Sequence, residues 1–225
     1  MEQFSAVILA AGRGTRMRSS LPKVLHPLLG IPMLDHVHRQ LLSAGAADVT
    51  VVVGHGADQI REHLGDRDVR TALQDPQRGT GHAVLEAFVQ SPPKHSTVVV
   101  VNGDLPDLDP SLISGLVSQH QGQESSMTVT TGCVDQPFGM GRVMHRGNGT
   151  DEGSSRLAKI VEQADLDPDG DEIHLVNLGI YAFDVRKILP ILRPMVEADL
   201  STDDPQKESY LTRIVELLAE NDSPA

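Results

Sequence analysis

Tryptophan is absent from the 225 residues, and four phenylalanines and two tyrosines supply all the aromatic rings. So small a set does not build the stacking platforms that hold single-stranded nucleic acid. Positive charge is also scarce: 19 Lys plus Arg stand against 31 Asp plus Glu, a formal net charge of -12. Nucleic acids and anionic membranes are bound by clustered cations, so neither is an expected partner. The single cysteine, Cys133, cannot close an internal disulfide. Its strand-like surroundings predict a small buried hydrophobe rather than a nucleophile. No apolar run approaches the ~20 residues of a membrane span. The first run, Ala6-Val7-Ile8-Leu9, lacks a basic stretch before it and is too short for a signal peptide. A cytoplasmic protein is expected.

Apolar residues at 39% together with 20 glycines are normal for a globular chain that buries a core. The length suits one large domain or two small ones. Over the first half, short apolar runs alternate with helical patterns. Strands are predicted at Ser5 to Ala10, Val49 to Val53, Val69 to Leu73 and Val98 to Val101. Helices are predicted at Met33 to Ala44, Ala57 to Leu64, about Gly81 to Gln90, and Pro110 to His120. That alternation implies an α/β fold, a mostly parallel sheet with helices on both faces. After about Ser125 the pattern changes. Met127 to Val134, Arg156 to Glu162 and His174 to Phe183 read as longer strands of a small antiparallel lobe on the sheet edge. Helices near Val185 to Leu192 and Glu208 to Glu220 close the chain. No repeat of 20 to 50 residues is visible.

The segment after the first strand is the most informative. Leu9-Ala10-Ala11-Gly12-Arg13-Gly14-Thr15-Arg16-Met17 is followed by Leu21-Pro22-Lys23. In an open α/β sheet, ligands bind at the carboxyl ends of strands. Small residues there let backbone N–H groups approach a phosphate, whose charge Arg16 and Lys23 could neutralise. Neither a dinucleotide fingerprint nor a P-loop fits, because Met17-Arg18 stands where each requires other residues. Between Gln3 and Leu34 there is no acid, yet Arg13, Arg16, Arg18 and Lys23 all fall there. In so acidic a chain this is a local positive field.

This segment, continued by Val24-Leu25-His26, resembles the signature of the sugar-1-phosphate nucleotidyltransferases. In detail it is similar to the uridylyltransferase domain of bacterial bifunctional N-acetylglucosamine-1-phosphate uridylyltransferases/glucosamine-1-phosphate acetyltransferases, and further matches run to Thr212. The resemblance implies a Rossmann-like nucleotidyltransferase fold and uridylyl transfer from UTP to N-acetylglucosamine 1-phosphate, with Mg2+ as cofactor. It makes Arg16 and Lys23 the catalytic cations. Ala10, Ala11, Gly12, Gly14, Gln74, Gly79 and Thr80 become the nucleotide-binding set, the last three at the uracil base. Asp104, in Gly103-Asp104-Leu105-Pro106, becomes the metal ligand. Gly141, Glu162, Asn177, Tyr210 and Thr212 become the sugar-binding set. Met140 stands where the family usually has Tyr, and Ser209 and Arg213 also depart from its pattern.

The resemblance further implies one nucleotidyltransferase domain over 1–225, with 1–124 serving the nucleotide and 125–225 the sugar. Neither the family's hexapeptide-repeat acetyltransferase domain, which holds its trimer contacts, nor its later Asn metal ligand has a counterpart in this sequence. A monomer without acetyltransferase activity is therefore expected. Two alternatives stay open: a related nucleotidyltransferase with another nucleotide or another sugar or alditol phosphate, and an inactive nucleotide-sugar-binding module. Other signals lead nowhere. Asp165 to Gly170 begins like a calcium loop but has Val176 at its twelfth position. His36 and His38, two apart on a predicted helix, cannot share a zinc face. Asp107 and Asp109 have no family match and read as solvated.

Overall fold

Val98 to Val101 are four consecutive valines, each with no exposed surface. Successive strand residues point to opposite faces, so a wholly buried run requires a sheet covered on both sides. The computed structural model describes residues 3–14, 17–145, 157–167, 173–202, 204 and 207–220. In chain order its elements are β1 (Phe4–Leu9), β2 (Pro27–Leu28), β3 (Ile31–Pro32), α1 (Met33–Ser43), β4 (Ala46–Val53), α2 (Ala57–Leu64), β5 (Arg70–Leu73) and α3 (Thr80–Gln90). They continue with β6 (Thr97–Asn102), α4 (Pro110–Gly122), β7 (Met127–Cys133), β8 (Arg142–His145), β9 (Leu157–Val161), β10 (Leu175–Asp184), α5 (Val185–Leu200) and α6 (Arg213–Glu220).

One eight-stranded sheet runs in the order β5-β4-β1-β6-β10-β8-β9, with β7 also paired to β10. Its first four strands are parallel. Its other pairings are antiparallel, so the predicted antiparallel lobe is joined to the parallel half through β10. A separate two-stranded hairpin pairs β2 with β3. Val98 and Val100 join Val84 and Phe88 of α3 and Ile188 and Leu192 of α5 in one core. Val99 and Val101 join Val37 and Leu41 of α1 and Ile113 and Val117 of α4 in the other. No helix among the described residues is long and apolar enough to cross a membrane.

Three expectations are corrected. Helix α5 continues to Leu200 despite Pro190 and Pro194. Burial of Ile188, Leu192, Met195 and Val196 along one stripe outweighs the local cost of proline, about 3 kcal/mol or more in a helix interior. The last helix begins at Arg213, not Glu208. The backbone of Ser209 and Leu211 instead bonds to the start of α3. Cys133 lies in β7 as expected but is exposed, not buried. In addition, Asp109 has a structural task that spacing did not reveal: its carboxylate accepts from Ser111 N–H (2.8 Å) and caps α4.

His120, 2% exposed on α4, shares a hydrogen bond with Thr128 Oγ1 (3.0 Å). Burial pushes its pKa down to about 4 from 6.5, with Lys187 adding to the effect and Asp184 opposing it. A lowered histidine pKa favours the fold above the unfolded value, and the benefit is lost as pH falls toward the folded one. Between pH 7 and pH 4 the wild type should therefore lose up to ~3 kcal/mol more unfolding free energy than His120→Gln. Urea titrations at both pH values check this; parallel losses in the two proteins would contradict it.

Candidate active site

Strand β1 pairs with β4 on one side and with β6 on the other. The chain moves outward from β1 through β4 to β5, then returns to lay β6 on the opposite side. Strand order therefore reverses between β1 and β6, and the crevice outside such a reversal is where open α/β sheets bind ligands. The glycine loop leaves β1 at this point. Gly103-Asp104 leaves β6 beside it, with Gly103 N–H donating to Leu9 O (2.9 Å).

Ala10 and Ala11 are buried and pin the loop: Ala10 N–H donates to Val52 O (2.9 Å), and Ala11 O accepts from His55 N–H (3.2 Å). Gly12 has open space where a side chain would stand. Gly14 has φ +57°, and a Cβ there would lie 2.8 Å from Lys23 Cβ. The loop thus curls directly onto Lys23, the first residue of a 3-10 turn anchored by buried Val24 and Leu25. Lys23 Nζ donates to Asp104 Oδ2, and both side chains reach solvent, at 41% and 28% exposure. A cation from the first loop and a carboxylate from the β6 loop are thus together at the crevice. Arg16 lies outside the described residues.

Among the described residues no three His, Cys, Asp or Glu side chains gather as a metal cage. Asp104 is a single hard oxygen donor. That suits Mg2+, which is usually held by one or two carboxylates with substrate phosphates and water completing its shell.

Gln74 follows β5, 3% exposed, with its N–H on Val53 O (2.8 Å). Its Nε2 donates to Gly79 O (2.8 Å). Gly79 and Thr80 open α3, but part of this helix N-terminus is already used by the chain. Gly81 N–H donates to Ser209 O (2.7 Å), Ser209 N–H to Arg78 O (2.8 Å), and Leu211 N–H to Thr80 Oγ1 (3.0 Å). Residues 209–212 form a strap that spacing alone did not foresee.

That strap leads to a second cluster. Glu162, Tyr210 and Thr212 line one cavity of about 220 Å³ with Lys159 and Arg213. Thr212 Oγ1 donates to Glu162 Oε1 (2.8 Å). Burial raises the Tyr210 pKa, as do neighbouring acids led by Glu208, so its hydroxyl stays protonated at neutral pH. Gly141 and Asn177 adjoin: Asn177 N–H donates to Gly141 O (2.9 Å), and a Cβ on Gly141 would lie 3.4 Å from Glu162 Oε2. The side chain of Asn177 is held at both ends, Oδ1 by Gly179 N–H (3.0 Å) and Nδ2 by Tyr181 OH (2.7 Å). The five expected sugar residues are thus neighbours although they span positions 141 to 212.

Sequence patterning gave Tyr181 and Arg142 no role. Tyr181 is buried, and that burial raises its pKa. Arg142 is 1% exposed, with its guanidinium on Pro137 O (2.8 Å), Met140 O (2.5 Å) and Gln163 Oε1 (3.1 Å), and so holds the 137–140 loop. An arginine so deeply buried inside a strand signals such a clamp, because a buried charge must be bonded.

Residues 6–167 match a family model described as the MobA-like NTP transferase domain. The bifunctional protein GlmU of Enterococcus faecalis is 39% identical over 218 residues, covering 97% of this chain and 45% of that protein. Its namesakes in Brevibacillus brevis (39%, covering 97% and 45%) and Geotalea daltonii (37%, covering 96% and 45%) are comparable. The chain spans about half the length of these relatives. A solved UDP-glucose pyrophosphorylase complexed with UDP-glucose has the same fold, with TM-score 0.77 at 18% identity over 98% of this chain and 88% of that one. The family match takes in the glycine loop, Lys23, Gln74, Gly79 and Asp104, so the residues assembled at the crevice lie within it. The chain belongs to the MobA-like NTP transferase domain family.

Proposed function

We propose that this chain transfers the uridylyl group of UTP to N-acetylglucosamine 1-phosphate, giving UDP-N-acetylglucosamine and pyrophosphate. The observation that carries the reading is the meeting of Lys23 and Asp104 under the glycine loop, at the reversal of strand order. The strapped cavity lined by Glu162, Tyr210 and Thr212, with Asn177 adjoining through Gly141, supports it, offering acceptors and donors for a sugar's hydroxyls and amide. The likeness to the GlmU relatives directs the choice of nucleotide and sugar.

A phosphate oxygen of the sugar phosphate attacks the α-phosphorus of UTP. The new P–O bond forms as the bond to pyrophosphate breaks, with no protein nucleophile. Positioning and charge stabilisation supply the rate. Lys23 stabilises charge on the α-phosphate and the incoming phosphate, releasing Asp104 as the phosphates enter. Arg16 holds the β- and γ-phosphates. Backbone N–H groups of the loop from Ala11 to Gly14 bind the phosphates beside buried Ala10, Gln74 and Gly79-Thr80 read uracil, and the Glu162 cavity holds the sugar. Asp104 would hold Mg2+, which when bound neutralises phosphate charge in the transition state.

A pyrophosphate-release assay across the four NTPs and several sugar 1-phosphates tests this. Release with UTP and N-acetylglucosamine 1-phosphate above every other pair supports the reading. Preference for another pair would give the chain a different substrate, and no release with any pair would make it a binding module.

A further inference from the structure

The Gln74 side chain does not stand alone. His82, 5% exposed on the first turn of α3, places Nδ1 3.4 Å from Gln74 Nε2 and Nε2 3.1 Å from Glu86 Oε1. Glu86 Oε2 accepts from Gln90 Nε2. Gln90 in turn grips the backbone of Leu73, accepting from its N–H (2.9 Å) and donating to its carbonyl (2.7 Å). The chain of bonds therefore closes on the residue next to Gln74. It ties the end of edge strand β5 to α3.

The circuit has a direction set by donor chemistry. A carboxylate only accepts, so the His82 Nε2 facing Glu86 carries the hydrogen. In the neutral ring Nδ1 is then the acceptor, and it faces the Gln74 amide. The Gly79 carbonyl, also on that amide, only accepts. Both partners therefore engage the Gln74 NH2 group, and Oε1 takes part in neither contact.

We propose that His82, oriented by Glu86, is a positioning residue that fixes the Gln74 amide with its oxygen toward the base and so favours uracil over cytosine. This rests on the reading of Gln74 as the base reader. An oxygen acceptor complements the N3–H of uracil and opposes the N3 lone pair of cytosine. A flipped amide would reverse that preference. Mispairing of such a buried polar group is what separates close analogues.

The test compares kcat/KM for UTP and CTP with N-acetylglucosamine 1-phosphate in the wild type, His82→Leu and Glu86→Ala. Both variants should lower the UTP:CTP ratio about fivefold to tenfold, the worth of one hydrogen bond, with the KM for the sugar phosphate unchanged. Glu86→Ala acts by freeing His82 to take the other tautomer, and with its side chain 30% exposed it serves as the second variant should His82→Leu fail to fold. A UTP:CTP ratio equal to that of the wild type in the folded variants, whatever their overall rate, would make the circuit purely structural and overturn the proposal. Calorimetric binding of UTP and CTP reads the same ratio if turnover is too slow. A wild type indifferent to UTP and CTP would instead sink the underlying reading of Gln74.

Discussion

Lys23→Ala should lower turnover about a hundredfold, the cost of losing a preorganised charge contact to the transition state. The Nζ group stands at the reversal between β1 and β6, and its partner Asp104 is the proposed metal ligand. Removing it withdraws positive charge from the reacting phosphate and leaves Asp104 unpaired at the same point. Stability should barely change. The side chain is 41% exposed, and ion pairs that open to water contribute about 0–1 kcal/mol. The variant's thermal midpoint should therefore match the wild type's while its rate falls. An undiminished rate would remove Lys23 from the chemistry.

Gly79→Ala should be the most damaging alanine substitution among the described glycines. Gly79 has φ +92°, and a Cβ there would lie 2.5 Å from Ser209 O and 2.8 Å from Ser209 N. The change combines backbone strain with a collision against another segment's main chain, so a loss of about 3 kcal/mol is expected. The damage should also spread. Ser209 belongs to the strap that bonds Gly81 and Thr80 at one end and leads to Thr212 on Glu162 at the other. Displacing it loosens both the expected base site and the proposed sugar cavity. Urea unfolding measures the loss, and calorimetry should show UTP affinity falling at least about tenfold as the base site deforms. Gly12→Ala is the control. With open space around it, unfolding energy should move by less than about 0.5 kcal/mol. Equal stability of Gly79→Ala and the wild type would mean the strap is not held where we place it.

Much of this was legible in the sequence, for definite reasons. The parallel half announced itself because strands buried on both faces read as unbroken runs such as Val98 to Val101, and Ala57 to Leu64 was bounded to the residue by glycines at 56 and 65. The glycine loop was legible because its cations and small residues are contiguous. Long-range backbone pairing was not. Nothing in Glu208 to Thr212 says that its main chain will bond to α3, so periodicity extended the last helix across it. The exposure of Cys133 was hidden as well, since alternation names two faces of a strand without saying which meets water. The proposed sugar cavity lay between these cases: the resemblance named Gly141, Glu162, Asn177, Tyr210 and Thr212, while the bonds that join them, and the clamps of Tyr181 and Arg142, emerge only in three dimensions.

In the reading proposed above, Lys23, Asp104 and the strapped cavity serve one uridylyl transfer. It is tested most directly by incubating the chain with UTP, N-acetylglucosamine 1-phosphate and Mg2+ and quantifying both products by chromatography and mass spectrometry. UDP-N-acetylglucosamine and pyrophosphate should form in equal amounts, with formation reduced about a hundredfold in Lys23→Ala. Binding of UTP without either product would contradict it.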